Sequence, residues 1–569
     1  MGLGSVGPLR RVMSRESSGE KGARGRASGA SSRARGAKTA RASRKSPARK
    51  SSAAKLPAEA PSLQAVIFIG ASSISMMVAE AREEGLRVLD VLSRPIELVY
   101  DLFLTGGISR DTADRCVQIT RGFTELLDEY RRVGEVKVRL LATNVLLDVN
   151  GLDLFVNRLQ VSCGLHLEVM DDGEMTRLIY LHMKSMLEKY AELSHRRLLV
   201  LHVGPGNTRL LLFDRGRITY YANYRLGAHR TSAAVGAADP GSPENEYRLV
   251  KEQIRSIVEQ MRHDAEESMA GSPDALVIYG PDFHRLHSPL ISGEPVSLET
   301  LAKLTEEVAH TPFSQRMERY DEDYATVRAL LPTLATYLAV AREFAPRSIL
   351  LPADDFSHAF LRSLMPSERD TQVLEEEVIH FAVLLANRYR VDRGHSQQVR
   401  RLSCSLFDQL QDLHGLNRHD RLLLKVAAIL HEVGTYVSSK RHHKHSQYLI
   451  LNSEIFGLSR RDVEIVGLLA RYHRRGEPND EERSYAELDL DNRLRVQKLA
   501  AILRVADALD RAHCHRIPGF TVRYANRRLE LLVPGVHDLA LENLALRSKG
   551  QLFTAVFGYD VLLLTETPV

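Results

Sequence analysis

One pattern of strands and turns occurs twice in this chain, and it limits the fold more than any other feature. The segment "LQAVIFIGASSISMMVAEAREEGLRVLDVLSR", which starts at Leu63, has an apolar strand, a turn of small residues, a second strand, a charged turn and a third strand. The segment "RRLLVLHVGPGNTRLLLFDRGRITYYANYRLG", which starts at Arg196, has the same order. Amphipathic helical patterns follow each segment. We therefore predict two related α/β lobes whose first turns face each other across a cleft.

The first turn of the second segment has the composition of a phosphate-binding loop. Gly204, Pro205, Gly206, Asn207 and Thr208 separate two apolar strands, and such a turn brings backbone N–H groups close to a ligand. A phosphate-hydrolysing site would be expected to have carboxylates beside this turn, but His202 and Arg209 stand there. The turn therefore predicts either an anion-binding site or a loop that is kept only because the lobe needs it to fold.

The N-terminal segment differs in composition from the rest of the chain. Residues 1–60 contain 15 Lys or Arg and three acids, in a chain whose net charge is +5. They contain few large apolar residues, so we predict a disordered basic tail. The tail is either a solvated extension or an arm that contacts a polyanion such as nucleic acid or polyphosphate.

Cysteine spacing and hydropathy indicate in which cellular compartment the protein acts. The four cysteines (Cys116, Cys163, Cys404 and Cys514) are widely spaced and form no CxxC motif, which indicates neither a disulfide framework nor a cysteine metal site. The chain has no apolar run that suggests a membrane span. We expect a reducing, cytoplasmic location and no membrane partner.

Five motifs occur in order along the chain: "FIGASSISMMVAE", "LLATNVLLDVNG", "LEVMDDGEMTRLIYL", "LHVGPGNTRLLLF" and "YRLGAHRT". Together they resemble the exopolyphosphatase/guanosine pentaphosphate phosphohydrolase (Ppx/GppA) family. The resemblance implies an actin-like (ASKHA, ribonuclease H-like) two-lobe domain. It also implies a phosphate-rich ligand, either polyphosphate or a guanosine penta- or tetraphosphate.

Compared with the family pattern, the cleft has lost its charged catalytic residues. The positions where the family has an acid or a phosphate-binding arginine are occupied here by Phe68, Leu147, Met175, His202 and Arg209, and only Glu174 remains of a glutamate pair. The retained residues are backbone and hydroxyl donors, with Arg209 as a possible anion ligand: Gly70, Ser72, Ser73, Gly204, Gly206, Asn207, Thr208 and Arg209. Phosphoanhydride hydrolysis needs a metal and a positioned water. We therefore expect binding with hydrolysis impaired or lost, and Mg²⁺ only if the cleft is active.

Histidines are concentrated in a second region, residues 375–515, which has long amphipathic helical patterns. The ordered His and Asp residues resemble the HD metal-phosphohydrolase bundle. That resemblance implies metal ligands His395, His431, Glu432 and Asp507, with His445 and His473 as possible additional ligands. Glu432 stands where the HD pattern has Asp. Imidazole and carboxylate ligands suit Mn, Fe, Zn or Ni. The open alternative is an inherited helical fold whose histidines make ordinary hydrogen bonds.

These inferences define the expected architecture. We predict a basic tail at 1–61, lobe I at 62–190, lobe II at 191–368, an HD-type helical domain at 369–515 and a small α+β segment at 516–569 that has no chemistry of its own. The main functional hypothesis is a homodimeric, catalytically degenerate family member. The alternatives are an active exopolyphosphatase-type hydrolase, a metal-dependent HD phosphohydrolase, or a nucleic-acid-associated protein that acts through its tail.

Overall fold

A computed structural model describes residues 63–82, 85–189, 193, 195–269, 271–280, 295–352, 356–474, 476–479 and 481–565. The predicted basic tail at 1–61 lies outside the described residues. Residues from Ala60 to Val569 form one compact unit. All four cysteines are free thiols in the structure.

The first lobe is built on a five-stranded sheet with the order β3-β2-β1-β4-β5. Strands β1 to β3 form an antiparallel meander, and β4 and β5 continue the sheet parallel to β1. The strands are β1 (Leu63–Ile69), β2 (Ser73–Arg82), β3 (Gly85–Pro95), β4 (Val136–Ala142) and β5 (Leu167–Val169). The helices are α1 (Leu98–Leu104), α2 (Arg110–Arg131), α3 (Leu152–Cys163) and α4 (Asp172–Lys189), with a 3₁₀ turn at Asn144–Asp148.

The second lobe repeats this topology with one added edge strand. Its sheet order is β10-β11-β9-β6-β7-β8, with a meander from β6 to β8 and with β9 parallel to β6. The strands are β6 (Arg197–Val203), β7 (Thr208–Asp214), β8 (Arg217–Tyr224), β9 (Ala275–Tyr279), β10 (Pro295–Val296) and β11 (Ile349–Leu350). The helices are α5 (Ala228–Ala237), α6 (Pro243–Ala265), α7 (Leu298–His310), α8 (Phe313–Tyr320) and α9 (Tyr324–Phe344). The duplicated strand order confirms the predicted actin-like pair of lobes.

The sequence suggested no membrane span, and helix α9 is an exception to that expectation. By length and composition alone it could cross a membrane, although 83% of its apolar window is buried inside the protein. It packs against the helices and sheet of lobe II, and its burial explains why a core helix has this composition.

A helical region follows the lobes, as predicted. Its helices are α10 (Phe356–Ser363), α11 (Glu368–Arg388), α12 (Arg393–Gln409), α13 (Gln411–His414), α14 (Arg418–Leu430), α15 (His442–Leu451), α16 (Arg460–Tyr472), α17 (Arg483–Ala486) and α18 (Leu490–Ala508). Ser367, Asn417 and Ser459 each form a capping box at a helix start, so local side-chain hydrogen bonds define where these helices begin.

The C-terminal segment packs on the helical region. It contains the strands β12 (Thr521–Ala525), β13 (Arg528–Val533) and β14 (Asp560–Thr565), and the helices α19 (Ala540–Lys549) and α20 (Gln551–Phe557). Apolar residues of its strands and helices belong to the same buried cluster as those of α12, α14 and α18. This shared core places the end of α19 beside the histidine-rich helices.

Candidate functional site

The first turns of the two meanders have the same hydrogen-bonded geometry. In lobe I, the N–H of Gly70 donates to the carbonyl of Ser73 at 2.8 Å. In lobe II, the N–H of Gly204 donates to the carbonyl of Asn207 at 2.9 Å. The predicted duplication therefore extends to the individual turns.

Each turn also receives the start of the next helix. The N–H of Val99 donates to the carbonyl of Ala71 at 2.8 Å, and the N–H of Arg230 donates to the carbonyl of Pro205 at 3.1 Å. A Cβ atom placed on Gly227 would lie 2.4 Å from the Pro205 oxygen. Helix packing therefore requires glycine at this position, whether or not the turn binds a ligand.

A cavity of about 800 Å³ lies beside the first turn of the second meander, between β6 and β7, which we call the second turn. Its walls come from three parts of the chain, namely lobe I, lobe II and the helical region. The lining includes the 3₁₀ turn and the start of α4 from lobe I, the second turn and β8 from lobe II, and residues of α15, α16 and α17 from the helical region. The predicted cleft therefore has a third wall that the sequence did not suggest.

Only part of the predicted phosphate-binding set lines this cavity. Gly206 and Asn207 do so. The side chain of Thr208 is buried and donates to the carbonyl of Leu226. The cavity lining does not include Gly70, Ser72, Ser73, Gly204, Thr208 or Arg209.

Arg209, which was predicted to be an anion ligand, is paired with a carboxylate. Its guanidinium is 2% exposed and donates from Nη2 to Asp172 Oδ1 at 2.7 Å. The same oxygen accepts from the side-chain amides of Asn207 at 3.0 Å and Asn144 at 2.6 Å. Asp172 is thus an acid of the cleft that the motif comparison missed, since it lies at a position where the family pattern has glycine.

His202 does not contribute positive charge either. Its side chain is 3% exposed, and burial, together with the charge of Arg209, lowers its pKa to about 3. The ring centroid lies 5.9 Å from that of Tyr279. His202 is therefore a neutral core residue near neutral pH, which weighs against the predicted attraction of an anion.

Two further substituted positions belong to an apolar core. Phe68 packs edge-to-face on Phe360 with 4.9 Å between ring centroids, and Met175 is 7% exposed in the same cluster. Leu147, in contrast, is 51% exposed and lines the cavity. Where the family has charged groups, this chain thus has apolar packing or an apolar wall.

The retained Glu174 has a structural role. Its carboxylate accepts from the N–H of Asp171 at 3.0 Å, and the Asp171 carboxylate accepts from the N–H of Glu174 at 2.9 Å. This reciprocal pair caps α4. The second oxygen of Asp171 accepts the N–H of Arg460 at 2.5 Å at the start of α16. Asp171 thus connects lobe I to the helical region.

Near the second turn, the cavity has one cation that the sequence analysis did not identify. The guanidinium of Arg230 donates to the Gly206 carbonyl at 3.0 Å and to Asp148 at 3.1 Å, and it lies 5.2 Å from the centroid of the Phe103 ring. Asp148 also accepts from Arg225 at 3.0 Å. The motif "YRLGAHRT" contained the signal, since Arg230 occupies the first turn of α5.

Glu454 brings a titratable group from the helical region into the cavity. Burial among protein atoms and the nearby charge of Asp172 raise its pKa to about 7, although the backbone N–H of Asn223 opposes this shift. The side chain itself faces the solvent of the cavity. A carboxyl of this kind changes charge near neutral pH.

We expect Glu454→Gln to change the pH dependence of stability. Because the folded-state pKa is raised, the folded protein binds a proton that the unfolded chain has lost, so wild-type stability falls as pH rises from about 5 to 7. After allowance for solvent screening, the variant should be about 1 kcal/mol more stable than wild type at pH 8 and equal to it at pH 4. Urea unfolding at both pH values measures this difference. If wild type and variant differed in stability by the same amount at both pH values, the raised pKa of Glu454 would be contradicted.

The second predicted site is a buried cluster of His and Asp. One nitrogen each of His395 and His431 and one oxygen of Asp507 lie within 4.8 Å of one another, and all three residues are buried. The Nδ1–H of His431 faces the Ala428 carbonyl at 2.9 Å, which leaves Nε2 as a buried lone pair with no hydrogen-bond partner among the described residues. His395 Nδ1 lies 2.9 Å from Asp510. These orientations suit metal ligation, because the outer nitrogen sets the tautomer of each ring.

A second group of ligands lies beside the first. Glu432, His442 and His473 also place ligand atoms within 4.8 Å of one another, and Glu432 forms a further such group with His395 and His513. His442 Nε2 and His473 Nε2 are 3.2 Å apart. We call the first two groups, His395, His431 and Asp507 with Glu432, His442 and His473, the histidine centre. Glu432 reaches it despite its longer side chain.

Among the predicted additional ligands, His473 joins the centre and His445 does not. His442 takes the expected place of His445, because the buried face of α15 contains residues 442, 446 and 450. His445 precedes residue 446 by one position and therefore lies beside that buried face and not on it. The spacing to Ile450, which is fully buried, was the sequence signal that would have identified His442.

The charged partner of Asp507 comes from the C-terminal segment. Lys549 Nζ is in contact with Asp507 Oδ2, so this segment, which was expected to have no chemistry of its own, places a charge beside the predicted metal ligands. Burial alone would raise the pKa of Asp507, but Lys549 and His395 outweigh it and hold the pKa well below its usual range. Arg504, the other candidate partner, donates instead to the Tyr472 carbonyl at 2.5 Å.

The fold and sites together define a two-lobed, actin-like protein with a helical C-terminal part. Sequence models of the Ppx/GppA phosphatase family match residues 77–353, and those of Ppx/GppA phosphatase domain III match residues 381–547. Because these ranges together span well over half of the chain, the protein belongs to the Ppx/GppA phosphatase family.

Several relatives show the extent of the similarity. The guanosine-5'-triphosphate,3'-diphosphate pyrophosphatase of Photobacterium profundum is 23% identical over 502 residues, which cover 84% of this chain and 93% of that protein. A Ppx/GppA family member from Aquifex aeolicus is 17% identical, with a TM-score of 0.43 over 53% of this chain and 97% of that one. An exopolyphosphatase from Cytophaga hutchinsonii is 13% identical, with a TM-score of 0.46 over 53% and 97%, respectively.

Proposed function

We propose that this Ppx/GppA-family protein binds a phosphate-rich ligand in its interlobe cleft and has lost the family's hydrolysis there. The observation that carries this proposal is the state of the five substituted positions. Phe68 and Met175 pack in an apolar core, and Leu147 forms an apolar wall. His202 is neutral and buried, and Arg209 is paired with Asp172. The ligand class follows from the family and from the relative that acts on a guanosine polyphosphate.

Two acids that remain near the second turn are engaged in ion pairs, which weighs against catalysis by the family mechanism. A water would need a carboxylate free to orient it. Oδ1 of Asp172 accepts from Arg209 and two amides, and Oδ2 of Asp148 accepts from Arg225 and Arg230. Each of these carboxylates is therefore held by arginine through one of its oxygens.

The charge of the lining indicates how a polyphosphate would bind. Six carboxylates and four guanidinium groups line the cavity, and Arg209 and Arg225 pair with two of these carboxylates from outside the lining. The formal charges around the cavity are therefore nearly balanced. Within this proposal, Arg230 and the backbone of Gly206 and Asn207 contact the phosphates.

Calorimetric titration with polyphosphate and with guanosine 5'-triphosphate 3'-diphosphate tests the proposal, with a parallel phosphate-release assay. We expect binding of the ligand without phosphate release. Gly206→Val should abolish binding, because a Cβ atom there would already lie 3.0 Å from the Phe103 ring. Gly519→Val, at a position with open space, is the control. Release that Gly206→Val abolishes would show an active cleft instead.

The histidine centre supports a second candidate function, a metal-dependent phosphohydrolase of the HD type. The specific observation is the buried, unpartnered Nε2 of His431 beside His395 and Asp507. These donors fit Mn, Fe, Zn or Ni. When bound, such an ion would supply a hydroxide at neutral pH. Asp510 holds the ring of His395 in place, and the carbonyl of Ala428 holds that of His431.

We expect His431→Ala to lower Mn²⁺ affinity at least about a hundredfold, because the variant removes a ligand rather than an outer partner. Mn²⁺ should also stop raising the melting temperature. Metal analysis and thermal scans measure both effects. The exposed His537 provides the control variant His537→Ala. Equal Mn²⁺ binding by wild type and His431→Ala would mean that the histidine centre is not the metal site.

Three further proposals concern the surroundings of the protein. The basic residues 1–60 contact polyanions, and their deletion should weaken polyphosphate binding most at low salt. The protein is a homodimer, which sedimentation would test. It acts in a reducing, cytoplasmic compartment, where its thiols stay free.

A further inference from the structure

Lys549 is a buried cation that the C-terminal segment places inside the histidine centre. It is the last residue of α19 and is only 9% exposed. Its ammonium is in contact with Asp507 Oδ2, while Asp507 Oδ1 lies 3.5 Å from His395 Nε2. One carboxylate therefore faces the ammonium with one oxygen and the candidate metal ligands with the other.

The position of Lys549 has a direct electrostatic consequence for a metal ion. Two cations that share one carboxylate repel each other, and the repulsion is large where water is excluded. Lys549 also lies close enough to His473 to influence that ring electrostatically. An incoming divalent ion at either group of ligands would thus meet a positive charge that belongs to the protein.

It would be unfavourable for the ammonium of Lys549 to move away from Asp507. A buried ammonium needs a charged or hydrogen-bonding partner, and the loss of that partner is costly. The side chain of Lys549 can leave Asp507 only if α19 shifts or if the ammonium reaches water. Loss of Asp507 as a partner would therefore leave an uncompensated buried charge at the end of α19.

We propose that Lys549 is an internal cation that competes with a divalent metal ion for Asp507, so that the C-terminal segment limits metal occupancy of the histidine centre. This inference rests on the proposed metal centre and deepens it. It assigns to Lys549 an inhibitory role that acts through its ion pair with Asp507.

Titration of the full-length, chelator-treated protein with Mn²⁺ tests the inference. Lys549→Met keeps the length of the side chain and removes its charge, so it should bind Mn²⁺ at least about tenfold more tightly than wild type. Arg547→Met removes a charge from an exposed position on the same helix and should bind as wild type does. Lys549→Arg keeps the charge and should remain close to wild type.

The outcomes separate this inference from the metal centre itself. Tighter binding by Lys549→Met alone supports the competition. Unchanged or weaker binding overturns it, and weaker binding would show that Lys549 assists the metal by orienting Asp507. If neither wild type nor Lys549→Met binds Mn²⁺, the proposed metal centre fails. If Lys549→Met does not fold, Lys549→Gln carries the same expectation, because its amide still donates to Asp507.

Discussion

Asp507→Asn is expected to lower the free energy of unfolding of the metal-free protein by about 3–5 kcal/mol, because removal of one partner leaves the other as an uncompensated buried charge. That partner is Lys549, which is in contact with Asp507 in the interior. The variant also removes the charge that lies opposite His395. Urea unfolding in the presence of a chelator measures the loss without any contribution from metal.

A double variant separates the ion pair from other effects at Asp507. Asp507→Asn combined with Lys549→Met leaves neither charge, so most of the lost stability should return. Asp420→Asn combined with Arg495→Met, at an ion pair between α14 and α18, is a matched control elsewhere in the helical region. If the double variant were as unstable as Asp507→Asn, the buried charge of Lys549 would not be the cause.

His202→Asp restores an acid of the family pattern, and we expect it to destabilise the protein without producing phosphate release. The new carboxylate would be buried at a position that is 3% exposed, beside an Arg209 that is already paired with Asp172. We expect a loss of at least about 2 kcal/mol relative to His202→Asn, which has the same shape without the charge. Activity should stay absent, because the other lost groups act together with this acid.

The measurements are urea unfolding of both variants and a phosphate-release assay with polyphosphate. Equal stability of His202→Asp and His202→Asn would show that Arg209 or solvent accommodates the new charge. Phosphate release by His202→Asp would contradict the proposed loss of function, since a single acid would then be sufficient.

Local patterns in the sequence predicted much of the molecule. The repeated strand and turn order around Phe68 and His202 predicted two lobes with matching sheets, because alternation and turn residues act over a few positions. The motif comparison predicted which charged groups the cleft lacks. The order of His395, His431 and Asp507 along the helices predicted a buried cluster of potential ligands, and these three side chains do come together.

The partners of the charged groups were decided only by the tertiary structure. Asp172 neutralises Arg209 from 37 residues away, and Lys549 reaches Asp507 from 42 residues away. Neither pairing follows from periodicity, because sequence patterns show which face of an element is buried and not which distant side chain meets it there. His442, rather than the predicted His445, enters the core for a related reason. Neighbouring positions on a helix point in different directions, and only the packing of α15 decides which of its rings is buried. The sequence by itself determined the two lobes, the lost acids and the positions of the histidines. The packing of separate elements determined which charges are neutralised, because electrostatic energy depends on distance in space and on burial, neither of which sequence separation specifies.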